Sequence, residues 1–377
     1  GPVASEALRA WGRAPLLPAN HACTSVLDCP FSRLLPFSKM EAWIQSLIDP
    51  LPLWGLFVVI AVFISTLAKG ADILVTEAVT LSVRWGVPTL LIGATIVSLG
   101  TTLPETAVSV MAALGGRPGL ALGNAVGSII CDTGLILGIA ALMRPIPLDK
   151  RIVNRQGWLQ LGSGVMLVAM CVPWSTPMAA FKEGGRLPQW AGWLFLTLLV
   201  LYIWKSIQWA RKGEGPEPEE THTDEAGNAM VFVKLLIGIT LVILSSKVLI
   251  PTVEETAFRL HVPEAIIAAT LVAFGTSLPE LVTVVTSVRK GHGALALGNI
   301  IGADILNVLF VAGASAAVTG GGLAAEPRFF QLLFPGMLFL LIVFRLSVVV
   351  SKTHLRWWSG IVLVGAYILV TVLSYSQ

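Results

Sequence analysis

Residues 94–105 read Ala-Thr-Ile-Val-Ser-Leu-Gly-Thr-Thr-Leu-Pro-Glu, and residues 269–280 read Ala-Thr-Leu-Val-Ala-Phe-Gly-Thr-Ser-Leu-Pro-Glu. One apolar chain thus carries the same acidic, proline-bearing segment twice. An ionisable side chain within a membrane helix costs roughly 2.5–3.5 kcal/mol on insertion scales and marks a functional position by default. Two glutamates in matching halves point to one cation site built between two repeats.

The rest of the chain supports a membrane setting. Of 377 residues, 55% are hydrophobic and 12% charged, with a mean hydropathy of +0.80, a balance that a soluble domain of this size cannot present to water. Apolar stretches of about twenty residues, each able to cross a ~30 Å hydrocarbon core, recur along it. We expect an all-α polytopic membrane protein with ten transmembrane helices, near 52–83, 87–114, 119–143, 152–173, 190–210, 229–258, 262–288, 294–318, 329–350 and 356–375. The first and sixth are long enough that each must tilt strongly or break. Their charges, Lys69, Asp72 and Glu77 in one and Lys247, Glu254 and Glu255 in the other, either snorkel to the interface or take part in gating. Four cysteines show no metal spacing and give no disulfide framework.

The repeat is regular. Adding 175 to a residue number carries Val87-Pro88 onto Val262-Pro263, Glu105 onto Glu280 and Leu120–Asn124 onto Leu295–Asn299. Residues 1–39 are irregular and are read as an N-terminal extension or expression leader, outside the fold. Residues 40–212 form the first five-helix repeat, 213–228 an acidic solvated linker, and 229–377 the second repeat. Five spans per half is an odd number, so the halves enter the membrane in opposite directions. That is a pair of inverted five-helix repeats, with the site expected at their interface.

Loop charges set the expected orientation. Arg84, Arg144, Lys150, Arg151, Arg155, Arg211, Lys212, Arg289, Lys290, Lys352 and Arg356 fall on one side; Arg117, Lys182, Arg186, Arg259 and Arg328 fall on the other. The positive-inside rule places both termini outside and the linker in the cytoplasm.

Pro104 and Pro279 each remove a backbone N–H and press on the carbonyl one turn earlier, near Gly100 and Gly275. Thr101, Thr102, Thr276 and Ser277 add hydroxyl oxygens beside the carboxylates of Glu105 and Glu280. The cluster holds no His or Cys, so it suits a hard cation such as Ca2+ or Na+. Leu-Pro-Glu is equally a good helix start, and both roles are compatible. The following span in each half adds Asn124, Ser128 and Asp132, and then Asn299, Asp304 and Asn307. Ser128 and Asp132 lie one turn apart on one face, Asn307 is the counterpart of Asp132, and Asp304 stands where the first half has Ile129. Asn124 and Asn299 also fit plain helix-to-helix hydrogen bonding.

The paired Gly-Thr-Thr/Ser-Leu-Pro-Glu and Gly-Asn-x-x-Gly-Ser/Ala motifs resemble the Ca2+/cation antiporter superfamily, in its sodium/calcium exchanger branch of prokaryotic type. The resemblance spans residues 52–377. The Gly-Asn-Ala-x-Glu motif typical of proton/calcium exchangers is not found at the corresponding place. The resemblance implies that Glu105 and Glu280 are carboxylates shared by Ca2+ and Na+. It implies oxygens from Thr101, Thr102, Thr276 and Ser277, carbonyls for Na+ at Ser98 and Ala273, and a site completed by Ser128, Asp132 and Asn307. Ala303 stands where a serine is common, and the acid of the Asp132/Asn307 pair lies in the first repeat rather than the second, which leaves stoichiometry and K+ coupling open.

The implied activity is exchange of Na+ for Ca2+ by alternating access in a plasma (inner) membrane, with no cofactor, no nucleic acid and no obligate protein partner. Exchange driven by protons or of another divalent ion is the alternative. A channel would need an open pore, and an enzyme would need a nucleophile–base pair, for which no predicted span supplies a His.

Overall fold

The structure, a computed structural model, describes residues 43–211, 227–260, 276–351 and 353–375. Residues Leu47–Gln377 form one compact unit; of the other, Gly1–Ser46, only 43–46 are described. The expected extension at 1–39, the linker from 213 to 226, Val262-Pro263 and Ala273 lie outside the described residues.

Helices dominate: α1 Leu53–Trp85, α2 Thr89–Leu114, α3 Pro118–Met143, α4 Lys150–Cys171, α5 Gln189–Arg211, α6 Asn228–Arg259, α7 Leu278–Arg289, α8 Gly293–Ala317, α9 Phe329–Val350 and α10 Trp357–Tyr375. Among the described residues, eight are long and apolar enough to cross a membrane. The two not counted are α7, described over 12 residues, and α4, which opens with Lys150, Arg151 and Arg155 and carries Gln156 and Gln160 further along. The ends follow local rules. Gly86, at φ 60°, closes α1 by donating to the carbonyls of Ser82 and Val83. Asp149 caps α4 by accepting from the backbone N–H of Arg151 and Ile152.

Of the two alternatives for the long first and sixth spans, the unbroken one holds: α1 runs unbroken for 33 residues and α6 for 32, straight through Pro251. At 1.5 Å per residue each is about 50 Å long, so each must tilt to lie within a ~30 Å core. Nor does Pro104 break its span, since α-helix continues from Ser98 to Leu114. The irregularity lies about two turns earlier, in a π segment at Gly93–Val97. Two more π segments, Cys131–Ile136 in α3 and Asn307–Ala312 in α8, fall at almost equivalent places in the two halves.

The core is built on α2, α3 and α8. The apolar window of α8 is 89% buried, against 28% for α1 and 33% for α6. Helices α2 and α8 touch backbone to backbone: a Cβ on Gly298 would sit 2.1 Å from the Leu90 carbonyl oxygen, so only glycine fits there. Helices α1 and α6 pack as a pair, with Gly70 against Leu241 and Gly238 against Leu74. Glu77 is buried between them and pairs with Lys234 at 3.5 Å, so it does not snorkel.

Two short antiparallel ladders tie distant parts of the chain together. Strand β1 (Ile146–Pro147), after α3, pairs with β4 (His354–Leu355), before α10; β2 (Gly185–Leu187), before α5, pairs with β3 (Leu323–Ala325), after α8. Large apolar side chains such as Phe57, Val62, Leu236 and Val349 face outward, and Trp54, Trp85, Trp190 and Trp357 stand near helix ends. This surface fits a bilayer with aromatic residues at its two interfaces. The chain is an integral, multi-pass membrane protein.

Candidate ion-binding site

Four elements bring acids and amides to one buried region. Glu105 comes from α2 and Glu280 from the first turn of α7, where Pro279 is at the helix start. Asp132 is the second residue of the α3 π segment, and Asn307 opens the π segment of α8. A π segment carries one extra residue per turn, which re-aims the side chains that follow and often marks functional positions.

All four side chains are at most 1% exposed. Asn307 Nδ2 donates to Asp132 Oδ2 across a long 3.5 Å. Glu105 lies within electrostatic reach of both Glu280 and Asp132. Two carboxylates about 4 Å apart at an effective dielectric near 20 repel by about 4 kcal/mol, so such a group calls for a cation or a proton.

The surrounding oxygens are equally short of partners. Among the described residues, neither carboxylate oxygen of Glu105 or of Glu280 has a donor at normal hydrogen-bond geometry, nor has Asp132 Oδ1; the Thr102, Ser128 and Ser277 hydroxyls and Asn307 Oδ1 are likewise without a well-formed hydrogen bond. Buried polar atoms are nearly always satisfied. A group of oxygens left over at one place is therefore what a bound hard cation needs. Among the described residues, no three His, Cys, Asp or Glu side chains close around a single point. Hydroxyl and amide oxygens must supply part of any coordination shell.

The other expected residues divide between this group and local hydrogen bonding. Thr101 donates to the Ser98 carbonyl at 3.3 Å, and Ser98 is fully buried one turn before it. Thr276 donates to Asn124 Oδ1 at 3.2 Å, while Asn124 Nδ2 donates to Ser109 at 2.9 Å, so both ends of the Asn124 amide are hydrogen-bonded. Asn299 is fully buried without a hydrogen bond. Asp304 is drawn aside: its Oδ2 accepts from Thr133 and from Gln160 of α4.

Gln160 was not singled out from the sequence. Its signal was available as two glutamines, Gln156 and Gln160, four residues apart in a membrane span. Gln156 has its own neighbour in Tyr202, whose single hydroxyl hydrogen is shared between Gln156 Oε1 at 3.2 Å and the Ala94 carbonyl of the α2 π segment at 3.0 Å.

A cavity of about 420 Å³ leads to this region. Its lining includes Glu326 and Arg328 before α9, Asn124 on α3, and Ser128 and Thr276 at the site.

The sodium/calcium exchanger protein family matches this chain over residues 55–208 and 230–376. The chain belongs to that family. The inner membrane protein YrbG of Escherichia coli is 32% identical over 81% of this chain and 92% of its own length. The sodium/calcium exchanger MaX1 of Methanosarcina acetivorans is 28% identical over 85% of this chain and 98% of its own. A solved structure of the sodium-calcium exchanger NCX_Mj, soaked with Na+, superposes with a TM-score of 0.69 at 26% identity, covering 85% of this chain and 98% of that one. Members of such a family are transporters, and the arrangement of acids and hydroxyls described above is suited to carrying ions.

Proposed function

We propose that this chain exchanges Na+ for Ca2+ across the membrane by alternating access, with one central site shared by both ions. The observation that carries the reading is the set of donor-less oxygens on Glu105, Glu280, Asp132, Ser128, Thr102, Ser277 and Asn307, gathered between the two halves of a family member. Glu105 and Glu280 hold either ion. Asp132, Asn307, Ser128, Thr102 and Ser277 complete the shell, with carbonyl or hydroxyl oxygens from Ser98, Thr101, Thr276 and Ala273. An empty site buries several like charges and resists crossing; one Ca2+ or several Na+ neutralise it and allow the switch.

The proposed architecture is ten spans in two inverted five-helix repeats, 40–212 and 229–377. Asp132 and Asn307 are 175 residues apart, the offset of the sequence repeat, and they touch. A residue and its own counterpart meet only beside a two-fold axis. The strand ladders support the same axis, since exchanging the halves turns β1·β4 into β3·β2. We place the protein in the plasma (inner) membrane with both termini outside, so the cavity at Glu326 opens outward and the closely packed α1–α6 pair is the mover. MaX1 and NCX_Mj, matched along nearly their whole length, are named for Na+ and Ca2+, so K+ is left out of the cycle.

Ca2+ uptake into proteoliposomes loaded with Na+, K+ or protons tests this. Uptake that requires internal Na+ and vanishes in Glu280→Gln supports the reading. Uptake driven by a pH gradient without Na+ moves the protein to proton coupling, and uptake with no counter-ion moves it to a channel.

A further inference from the structure

One buried acid is not used by the central site. Asp304 of α8 is 1% exposed, and Oδ2 accepts from the Thr133 hydroxyl of α3 and from Gln160 Nε2 of α4. Gln160 Nε2 also donates to Thr133 Oγ1 at 3.2 Å. Thr133 is completely buried and Gln160 is 1% exposed. Two oxygens of this group, Asp304 Oδ1 and Gln160 Oε1, make no hydrogen bond. Neither amide nor hydroxyl brings a positive charge, and a carboxylate buried in a membrane helix core calls for one.

The group lies on one side of the molecule only. Under the 175-residue offset Asp304, Thr133 and Gln160 correspond to Ile129, Val308 and Pro335, which are all apolar. The repeat therefore does not explain it as a remnant of shared architecture. Thr133 belongs to the π segment Cys131–Ile136, a geometry found frequently at functional positions. Asp304 is also within electrostatic reach of Asp132, so a charge held at one is felt at the other.

We propose that Asp304, Thr133 and Gln160 form a second cation site behind Asp132, which takes one Na+-sized monovalent ion. The donors are all hard oxygens, the type that binds alkali and alkaline-earth ions. A single carboxylate neutralises one monovalent charge and leaves nothing over, whereas a divalent ion would leave a net positive charge buried. Loading this site offsets the field at Asp132 and so couples Na+ occupancy here to the ion held at the central site.

The test measures binding and transport together, because the transport arm rests on the exchanger reading. Equilibrium binding of 22Na+ to purified wild type and Asp304→Asn comes first. The account expects the variant to bind one Na+ fewer. In proteoliposomes the same variant should need about ten-fold more Na+ for half-maximal Ca2+ uptake, with a shallower Na+ dependence. In Na+-free medium the variant should still bind Ca2+ at the central site.

Thr133→Ala, which removes one oxygen and no charge, gives a smaller shift in the same direction and serves if Asp304→Asn does not fold. Equal Na+ binding in wild type and both folded variants overturns the second site. Loss of Ca2+ binding in Asp304→Asn also overturns it, by making Asp304 part of the central site. A wild type that binds no Na+ at all defeats the exchanger reading and the second site together.

Discussion

Over their described residues, Gly100–Glu105 and Thr276–Glu280, the two copies of the Gly-Thr-Thr/Ser-Leu-Pro-Glu motif differ in local structure. In the first, α-helix runs through Pro104 and continues to Leu114; in the second, α7 begins at Leu278, with Pro279 at the helix start and Glu280 in the first turn. Both glutamates nevertheless end up buried, without hydrogen-bond donors, within reach of each other. Over the described residues, the two carboxylates arrive at one buried region from unlike local backbone. The chemistry around that point is then unequal. The first half supplies Asp132 where the second supplies Asn307, and the second supplies Asp304 where the first has Ile129.

The sharpest way to break this comparison is to exchange the unequal pair. Asp132→Asn should lower Na+-dependent Ca2+ uptake by about a hundred-fold, since it removes a buried ligand charge worth about 3 kcal/mol. Adding Asn307→Asp should recover most of that loss, because Asn307 is in direct contact with Asp132. A double variant no better than the single one shows that the acid must come from the first repeat, and the two sides are then not interchangeable.

The next effect concerns packing. Gly298→Ala places a methyl group 2.1 Å from the Leu90 carbonyl, a backbone atom that cannot step aside. Overpacking of this kind costs about 1–3 kcal/mol or more, to be read as a lower unfolding temperature in detergent. Among the described residues, a Cβ on its counterpart Gly123 meets the ring edge of Phe329 at 3.8 Å, an ordinary contact, so Gly123→Ala should lower the unfolding temperature less. Equal losses at the two positions place the tight crossing on both sides of the molecule.

The smallest expected difference lies in the prolines. An interior proline costs a helix about 3 kcal/mol, part of which surrounding contacts recover. Pro104→Ala should therefore raise the unfolding temperature, whereas Pro279→Ala should change it little, because a proline at a helix start removes no intrahelical hydrogen bond. Equal shifts would mean that the two motif copies share one conformation in the membrane.

Much of this molecule was legible from residue types. Helix ends agree with the apolar stretches to within about two residues wherever both are described, because hydrocarbon admits little but helix there. The central acids were legible because charge in such a stretch is rare. The π segments were not, since no residue type encodes them and they arise from packing between helices. Continuation through Pro104 was hidden for a related reason: neighbours that satisfy freed backbone groups are invisible along the sequence. Asp304 is three positions before Asn307, and only the fold reveals that its partner is Gln160, 144 residues away.

The central claim is that Na+ and Ca2+ compete for one site to which both halves contribute. Calorimetric titration of purified protein with Ca2+ at increasing Na+, for wild type, Glu105→Gln and Glu280→Gln, tests it most directly. The account predicts that Na+ weakens Ca2+ binding competitively, without changing the amount bound at saturation, and that either substitution alone removes Ca2+ binding. Ca2+ binding indifferent to Na+, or intact in either variant, would contradict a shared site between the repeats.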